Sequence, residues 1–217
     1  MIDGLDDTLK ELLLRGLAAI NPLISFATPD KEWTSTISGP TINLFLYDIR
    51  ENVSLRSNEQ YLAAHDRGWQ QSIPPSRIDF TYLISVWTKK EQTDSSESPH
   101  IRDEHMLLGK ILSILLAHPT LPEDVLHGDI KQQAKLPGGQ LPRAWIAQPD
   151  DTPKTWEFWG SNEWRLKAGI AYRVTLYVQP MLPLLPPPPV EPIQSGRDGP
   201  HNGRSRNKPP GVGRAGL

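Results

Sequence analysis

Six histidines, His65, His100, His105, His118, His127 and His201, are the side chains of this 217-residue chain best suited to acid–base or metal chemistry near neutral pH. His105 directly follows Asp103 and Glu104, a grouping that could hold a proton or a cation. His118 stands 13 residues further on. On one helix that is about 20 Å away, too far to share a metal within one chain. Two imidazoles one turn apart, as in HExxH, do not occur, and His127-Gly128-Asp129 is a bare tripeptide. The GxSxG nucleophile elbow and the GxxxxGK[ST] phosphate loop are also missing. Gly160-Ser161-Asn162 lacks the second glycine, and Gly138-Gly139 reads as a turn. With no cysteine there is no disulfide framework, thiol nucleophile or thiolate metal site. The residues therefore point away from an enzyme and ask for no cofactor or metal.

Tryptophan offers a different chemistry. Trp156, Trp159 and Trp164 fall within nine residues and could stack on sugar rings or bases, although residues 156 and 159 share a helical face, which core or subunit packing explains more simply. The charge balance, 23 Lys and Arg against 25 Asp and Glu for a net of -2, argues against a generally basic nucleic-acid binder. Residues 181–217 hold five basic and two acidic side chains, a net of +3, which leaves about -5 on residues 1–180. A tail with that charge gives only weak, salt-sensitive membrane contact.

These side chains need elements to hold them. Nine Pro and six Gly in residues 181–217, with Pro186 to Pro189 in a row and no aromatic, predict a disordered proline-rich tail after a folded domain over residues 1–180. Inside the domain, Ile2, Leu5, Leu9, Leu12 and Leu13 make a helical stripe with Asp3 as its N-cap and Asn21-Pro22 as its stop. Residues 41–49 read as a strand with two faces, Ile42, Leu44, Leu46 and Asn43, Phe45, Tyr47; neither is strongly polar, so a central strand covered on both sides is expected. A polar connection runs over residues 51–76 and ends in Pro74-Pro75. From Ile78 to Trp87 the period is two, a second strand. Leu107, Leu108, Ile111, Leu112, Leu115 and Leu116 mark the longest helix, with Asp103 and Glu104 in its first turn and His118-Pro119 closing it. A Pro- and Gly-rich loop leads to a short strand at residues 144–147, Thr152-Pro153 opens a short helix, and residues 170–179 alternate as the last strand. The expected fold is α+β, with two main helices packed on a twisted, mostly antiparallel sheet. The acidic start, Asp3 to Asp7, has no secretory character and no run of 18 apolar residues occurs, so a soluble cytoplasmic protein is expected.

Four strings carry a further signal by their order. They are Pro40-Thr41-Ile42-Asn43-Leu44-Phe45-Leu46-Tyr47-Asp48-Ile49-Arg50-Glu51-Asn52, Pro75-Ser76-Arg77-Ile78-Asp79-Phe80-Thr81-Tyr82-Leu83-Ile84-Ser85-Val86-Trp87, Asp103-Glu104-His105-Met106-Leu107-Leu108-Gly109-Lys110-Ile111-Leu112, and Trp156-Glu157-Phe158-Trp159-Gly160 with the closing strand through Val178. Over residues 1 to about 180 this pattern resembles the tail-terminator, or cap, proteins of extracellular contractile injection systems, phage-tail-like particles. The resemblance implies a structural protein forming a ring of six that ends the inner tube and holds the last sheath layer. Its partners would be copies of itself, the inner tube protein and the contractile sheath protein, with no nucleic acid, in a particle assembled in the cytoplasm and then released or membrane-anchored. A head-to-tail ring needs two different contact surfaces on each subunit. The residues it singles out for subunit, tube or sheath contact are Tyr47, Arg50, Glu51, Trp159, Trp164, Arg165 and Tyr177. The competing reading is a monomeric glycan- or nucleic-acid-binding module that uses the tryptophan cluster or the basic tail.

Overall fold

The computed structural model describes residues 1–56, 61–65, 68–72, 75–89, 99–136, 139–148 and 167–179. Helix α1 (Ile2–Gly16) forms because Leu5, Leu9, Leu12 and Leu13 recur at helical spacing and all become buried. Its N-cap is Met1 and not Asp3, which lies inside the first turn, where a carboxylate still meets the positive end of the helix dipole. The helix also stops at Gly16, before Asn21-Pro22 is reached. Gly16 passes so close to the helix over Pro99–Leu116 that an added Cβ would lie 2.5 Å from Ile114 Cδ1. The chain then turns tightly, with the N–H groups of Ile20 and Asn21 both donating to Leu17 O and Asn21 in the left-handed region at φ 47°. That turn satisfies the helix end before proline has to stop it.

Strand β1 (Leu23–Ser25), helix α2 (Lys31–Ser35), strand β2 (Thr41–Glu51) and a 3₁₀ turn, η1 (Val53–Leu55), come next. The hairpin β3 (Tyr61–His65) and β4 (Gly68–Ser72) precedes the long strand β5 (Ser76–Trp87). Helix α3 (Pro99–Leu116), the 3₁₀ turn η2 (Glu123–Val125), helix α4 (Gly128–Lys135) and strands β6 (Arg143–Ile146) and β7 (Gly169–Val178) complete the described chain. The main sheet is twisted and has the order β1-β2-β5-β7-β6, antiparallel except for the β1–β2 pair. This is the expected α+β class.

Further expectations need correction. The central strand is β5, whereas β2 is flanked on its outer side by β1 only over Thr41–Asn43. The apolar run of β2 gave no sign of this, because a bulge changes which residues face the helices. The register steps from Leu46↔Tyr82 to Asp48↔Thr81, so Ile42, Leu44 and Leu46 share a face with Ile49, while Asp48 and Arg50 turn to the other. The supposed polar connection over residues 51–76 contains η1 and the β3–β4 hairpin, whose five-residue strands are too short for a clear alternation. In α3 the helix begins at Pro99, so Glu104 is past the first turn and is buried instead of completing the dipole. The Pro- and Gly-rich loop before β6 also holds α4, and β6 starts one residue earlier than expected. The helix expected from Thr152-Pro153, the tryptophans Trp156, Trp159 and Trp164, and the tail over residues 181–217 lie outside the described residues.

The core lies between one sheet face and the helices. Leu5, Leu9 and Leu13 of α1 and Leu107, Ile111 and Leu115 of α3 pack with Ile42, Leu44, Phe80, Tyr82, Ile84, Val86, Tyr172 and Val174. Tyr82 is fully buried and its hydroxyl donates to Asp6 Oδ1 at 2.7 Å. Burial raises the Asp6 pKa above 3.8, opposed by this hydrogen bond, while burial and the same bond hold the Tyr82 phenol far above its usual range. The folded state thus binds the Asp6 proton more tightly than the unfolded state, and ionising Asp6 removes stability as pH rises from the unfolded pKa through the raised folded one. Asp6→Asn, which still accepts from Tyr82, should equal or exceed the wild type in stability at pH 7, with the gap closing below about pH 4. Urea midpoints at pH 7 and pH 3.5 check this, and an asparagine variant weaker at pH 7 alone would contradict it.

Candidate functional site

The second sheet face, away from α1 and α3, carries the unusual chemistry. Because side chains alternate, the residues between the core positions stand in rows across the strands. One row is Arg50 on β2, Asp79 on β5, Thr175 on β7 and Arg143 on β6; the next is Asp48, Thr81, Arg173 and Trp145. Asp79 is the hub and is only 8% exposed. It accepts from Thr175 Oγ1 at 2.5 Å and from Asn52 Nδ2 at 3.0 Å, and Arg173 Nη1 lies 3.9 Å away. The Arg173 guanidinium sits over the Trp145 ring, 5.4 Å from its centroid, and Arg77 sits over Tyr177 at 5.0 Å. Arg77 Nη1 also donates to Leu55 O at 2.5 Å, tying η1 to β5.

Past this row the sheet ends in an exposed corner. Val53 and Leu55 of η1 are 69% and 42% exposed, with Arg50 and Arg56 on either side of them along the chain, paired with Asp48 at 2.8 Å and Glu51 at 3.4 Å, while Ile49, also exposed, faces the helix side of β2. Arginine is enriched at protein interfaces, which makes this corner a candidate contact surface. Of the residues singled out in the sequence, Arg50 and Tyr177 share this face on strands separated by β5, Glu51 points to the helix side of β2, and Tyr47 sits at the bulge. Trp159, Trp164 and Arg165 lie outside the described residues. Sequence reasoning missed Asp79, Asn52 and Thr175, as well as Ile49, Val53 and Leu55. The signal for the first group was present in the matched parity of Asp79, Thr81 and Ser85 on β5 with Arg173 and Thr175 on β7.

A second polar knot fastens the other end of β5. Glu104 of α3 accepts from Thr88 N at 3.0 Å and from Thr88 Oγ1 at 3.1 Å, and it pairs with Lys167 Nζ at 2.5 Å. Lys167 Nζ lies 4.2 Å from the Trp87 ring centroid, and Trp87 meets Trp33 of α2 edge to face at 5.6 Å.

The histidines are not gathered. His105 and His127 are exposed, and His118 Nδ1 lies 2.8 Å from Ile114 O, which places its proton on Nδ1. Among the described residues no group of three or more His, Asp or Glu is placed to hold a metal ion. Among them, too, no helix is long and apolar enough to cross a membrane. The arrangement is a braced β scaffold with an exposed apolar and arginine corner.

This geometry has counterparts. The family described as the Pvc16 N-terminal domain matches residues 4–191. Among solved structures, the PVC sheath/tube terminator of an extracellular contractile injection system, in its extended state, aligns with a TM-score of 0.53 and 21% identity. The alignment covers 79% of this chain and 55% of that one. The tube-terminating cap of the anti-feeding prophage aligns with a TM-score of 0.55 and 18% identity, over 82% of this chain and 55% of the cap. The chain thus shares their fold and spans about half the length of each. Among curated proteins none matches. The chain belongs to the Pvc16 N-terminal domain family.

Proposed function

We propose that this chain is a structural cap: copies of it close into a ring of six that ends the inner tube of a contractile injection particle and holds the last layer of sheath. The observation that carries this reading is the shared fold with a sheath/tube terminator and a tube-terminating cap over about four-fifths of the chain. The role is one of binding and geometry, not catalysis. A cap must match the symmetry of the tube on one side and offer no landing site for another tube layer on the other. The exposed corner at the end of β2 gives it a contact surface, and an edge of its sheet receives an extended segment of sheath protein by strand addition. The particle is built in the cytoplasm.

Electron microscopy of particles from cells lacking the gene tests the proposal. Tubes of irregular length, or particles that have lost sheath at one end, are expected. Particles of normal length with intact ends would overturn it.

A further inference from the structure

Two patches on this molecule complement each other. At the β2–η1 corner the exposed apolar side chains Val53 and Leu55 of η1 lie between Arg50 and Arg56 along the chain, and the arginines are the outermost charges. Arg50 and Arg56 are 77% and 55% exposed, against 27% and 34% for their partners Asp48 and Glu51. At the start of α1 the pattern is inverted. Ile2 is exposed next to Asp3, Asp7 stands one turn on from Asp3, and the amino terminus holds both Asp3 and Asp129; the outermost charges are the carboxylates, with Asp3 86% and Asp129 64% exposed against 28% for the Met1 side chain.

The patches also lie toward opposite edges of the sheet. The corner belongs to β2, on the β1 side. The acidic patch is held with α4: Thr8 Oγ1 accepts from His127 N at 3.1 Å, and a Cβ added to Gly4 would lie 3.0 Å from His127 O. The chain around α4 in turn flanks the other edge, with Leu121 N donating to Pro142 O and Ala144 N to Pro119 O beside β6.

We infer that the apolar-arginine corner of one copy seats on the Ile2, Asp3, Asp7 and Asp129 patch of the next copy, making a head-to-tail contact. Two unlike patches on opposite edges are what a heterologous interface requires, since each copy then has one of each to offer. Apolar residues at the centre supply buried area, and the charged rims select the orientation and exclude corner-to-corner pairing. This inference rests on the ring reading above and names its contact surface.

The absence of cysteine makes a direct test available. Full-length Ile2→Cys/Val53→Cys is expressed in the producing cells, particles are isolated, and their thiols are joined with a short bis-maleimide. A ladder of linked copies is expected for the double variant and not for either single variant. In parallel, Arg50→Glu/Arg56→Glu and Asp3→Lys/Asp7→Lys should each weaken assembly by on the order of 100-fold, and the fourfold variant should regain it, because like charges at a contact are strongly unfavourable. All these sites are exposed, so the arginine variants should match the wild type in urea, and the lysine variants should fall short only by the small loss of carboxylates at the helix dipole. Capped particles without a ladder, or Val53→Cys linking to tube or sheath protein instead, would overturn the surface and leave the cap reading standing. A ladder in cells whose particles do not need the chain would do the reverse.

Discussion

Replacing Asp79 with alanine should destabilise the protein by about 3 kcal/mol, more than any substitution at the exposed corner. The carboxylate is buried and takes two hydrogen bonds, from Thr175 and Asn52, with Arg173 close by. A hydrogen bond to a charged group contributes about 1.5–3 kcal/mol, and the donors left behind are cut off from water. Against a total stability of about 5–15 kcal/mol this is a large fraction, and in a domain of this size it should lower Tm by roughly 6–12 °C. Asp79→Asn keeps the shape and one acceptor oxygen, so it should lose less than the alanine variant. Thr175→Val should cost about one such bond. Urea unfolding of the three variants checks the order, and an alanine variant within about 0.5 kcal/mol of wild type would show that Asp79 is not the hub of this face.

The consequence for function is mechanical. Asn52 links Asp79 to the turn that presents Val53 and Leu55, and Arg77 holds the same turn through Leu55 O. Loss of Asp79 should therefore loosen the corner as well as the sheet. An interaction surface is as precise as the element beneath it, and here a loop turn is fixed by two side chains of a central strand.

The sequence made the α+β class, the two long helices, β5 and β7 legible, because each has a long run at a single period. What it concealed follows from local physics. The β2 bulge moves Ile49 to the helix side and Arg50 to the other, and no residue type in residues 41–51 announces where the phase breaks. Helix α1 ends at Gly16, where the Ile20 and Asn21 N–H groups close on Leu17 O, and the glycine itself is the stop signal that attention to Asn21-Pro22 passed over. Helix α4 and the β3–β4 hairpin are short, and their existence depends on what packs against them. At the site, Arg50, Glu51, Tyr47 and Tyr177 were singled out through the family resemblance, and the register places Arg50 and Tyr177 on one face with Glu51 on the other. Asp79 was hard to pick out as a hub because its partners lie 27 and 96 positions away, and only the matched parity of β5 and β7 pointed to them.

At the other end of β5, Glu104→Ala should cost about 3–5 kcal/mol, the usual loss when one member of a buried ion pair is removed. Glu104 is 9% exposed, and its loss leaves the Lys167 ammonium against the Trp87 ring with its carboxylate gone and takes the acceptor from Thr88 N. Glu104→Gln should cost less, since the amide oxygen still serves Thr88. Lys167→Met removes the charge and keeps the stem packing, so it should be milder than Glu104→Ala. The discriminating construction is the cycle closed by Glu104→Leu/Lys167→Met. A buried pair replaced as a whole by apolar residues of similar volume is often neutral, so the double variant should recover most of what Glu104→Leu alone loses, giving a coupling within the 0.5–3 kcal/mol range of touching residues. Strict additivity would mean that the two side chains act separately and that the start of α3 is held by Thr88 alone. With coupling, α3, the end of β5 and the lead into β7 are fastened at one point, and the sheet is braced at both ends while the corner between η1 and Arg50 stays exposed for contact.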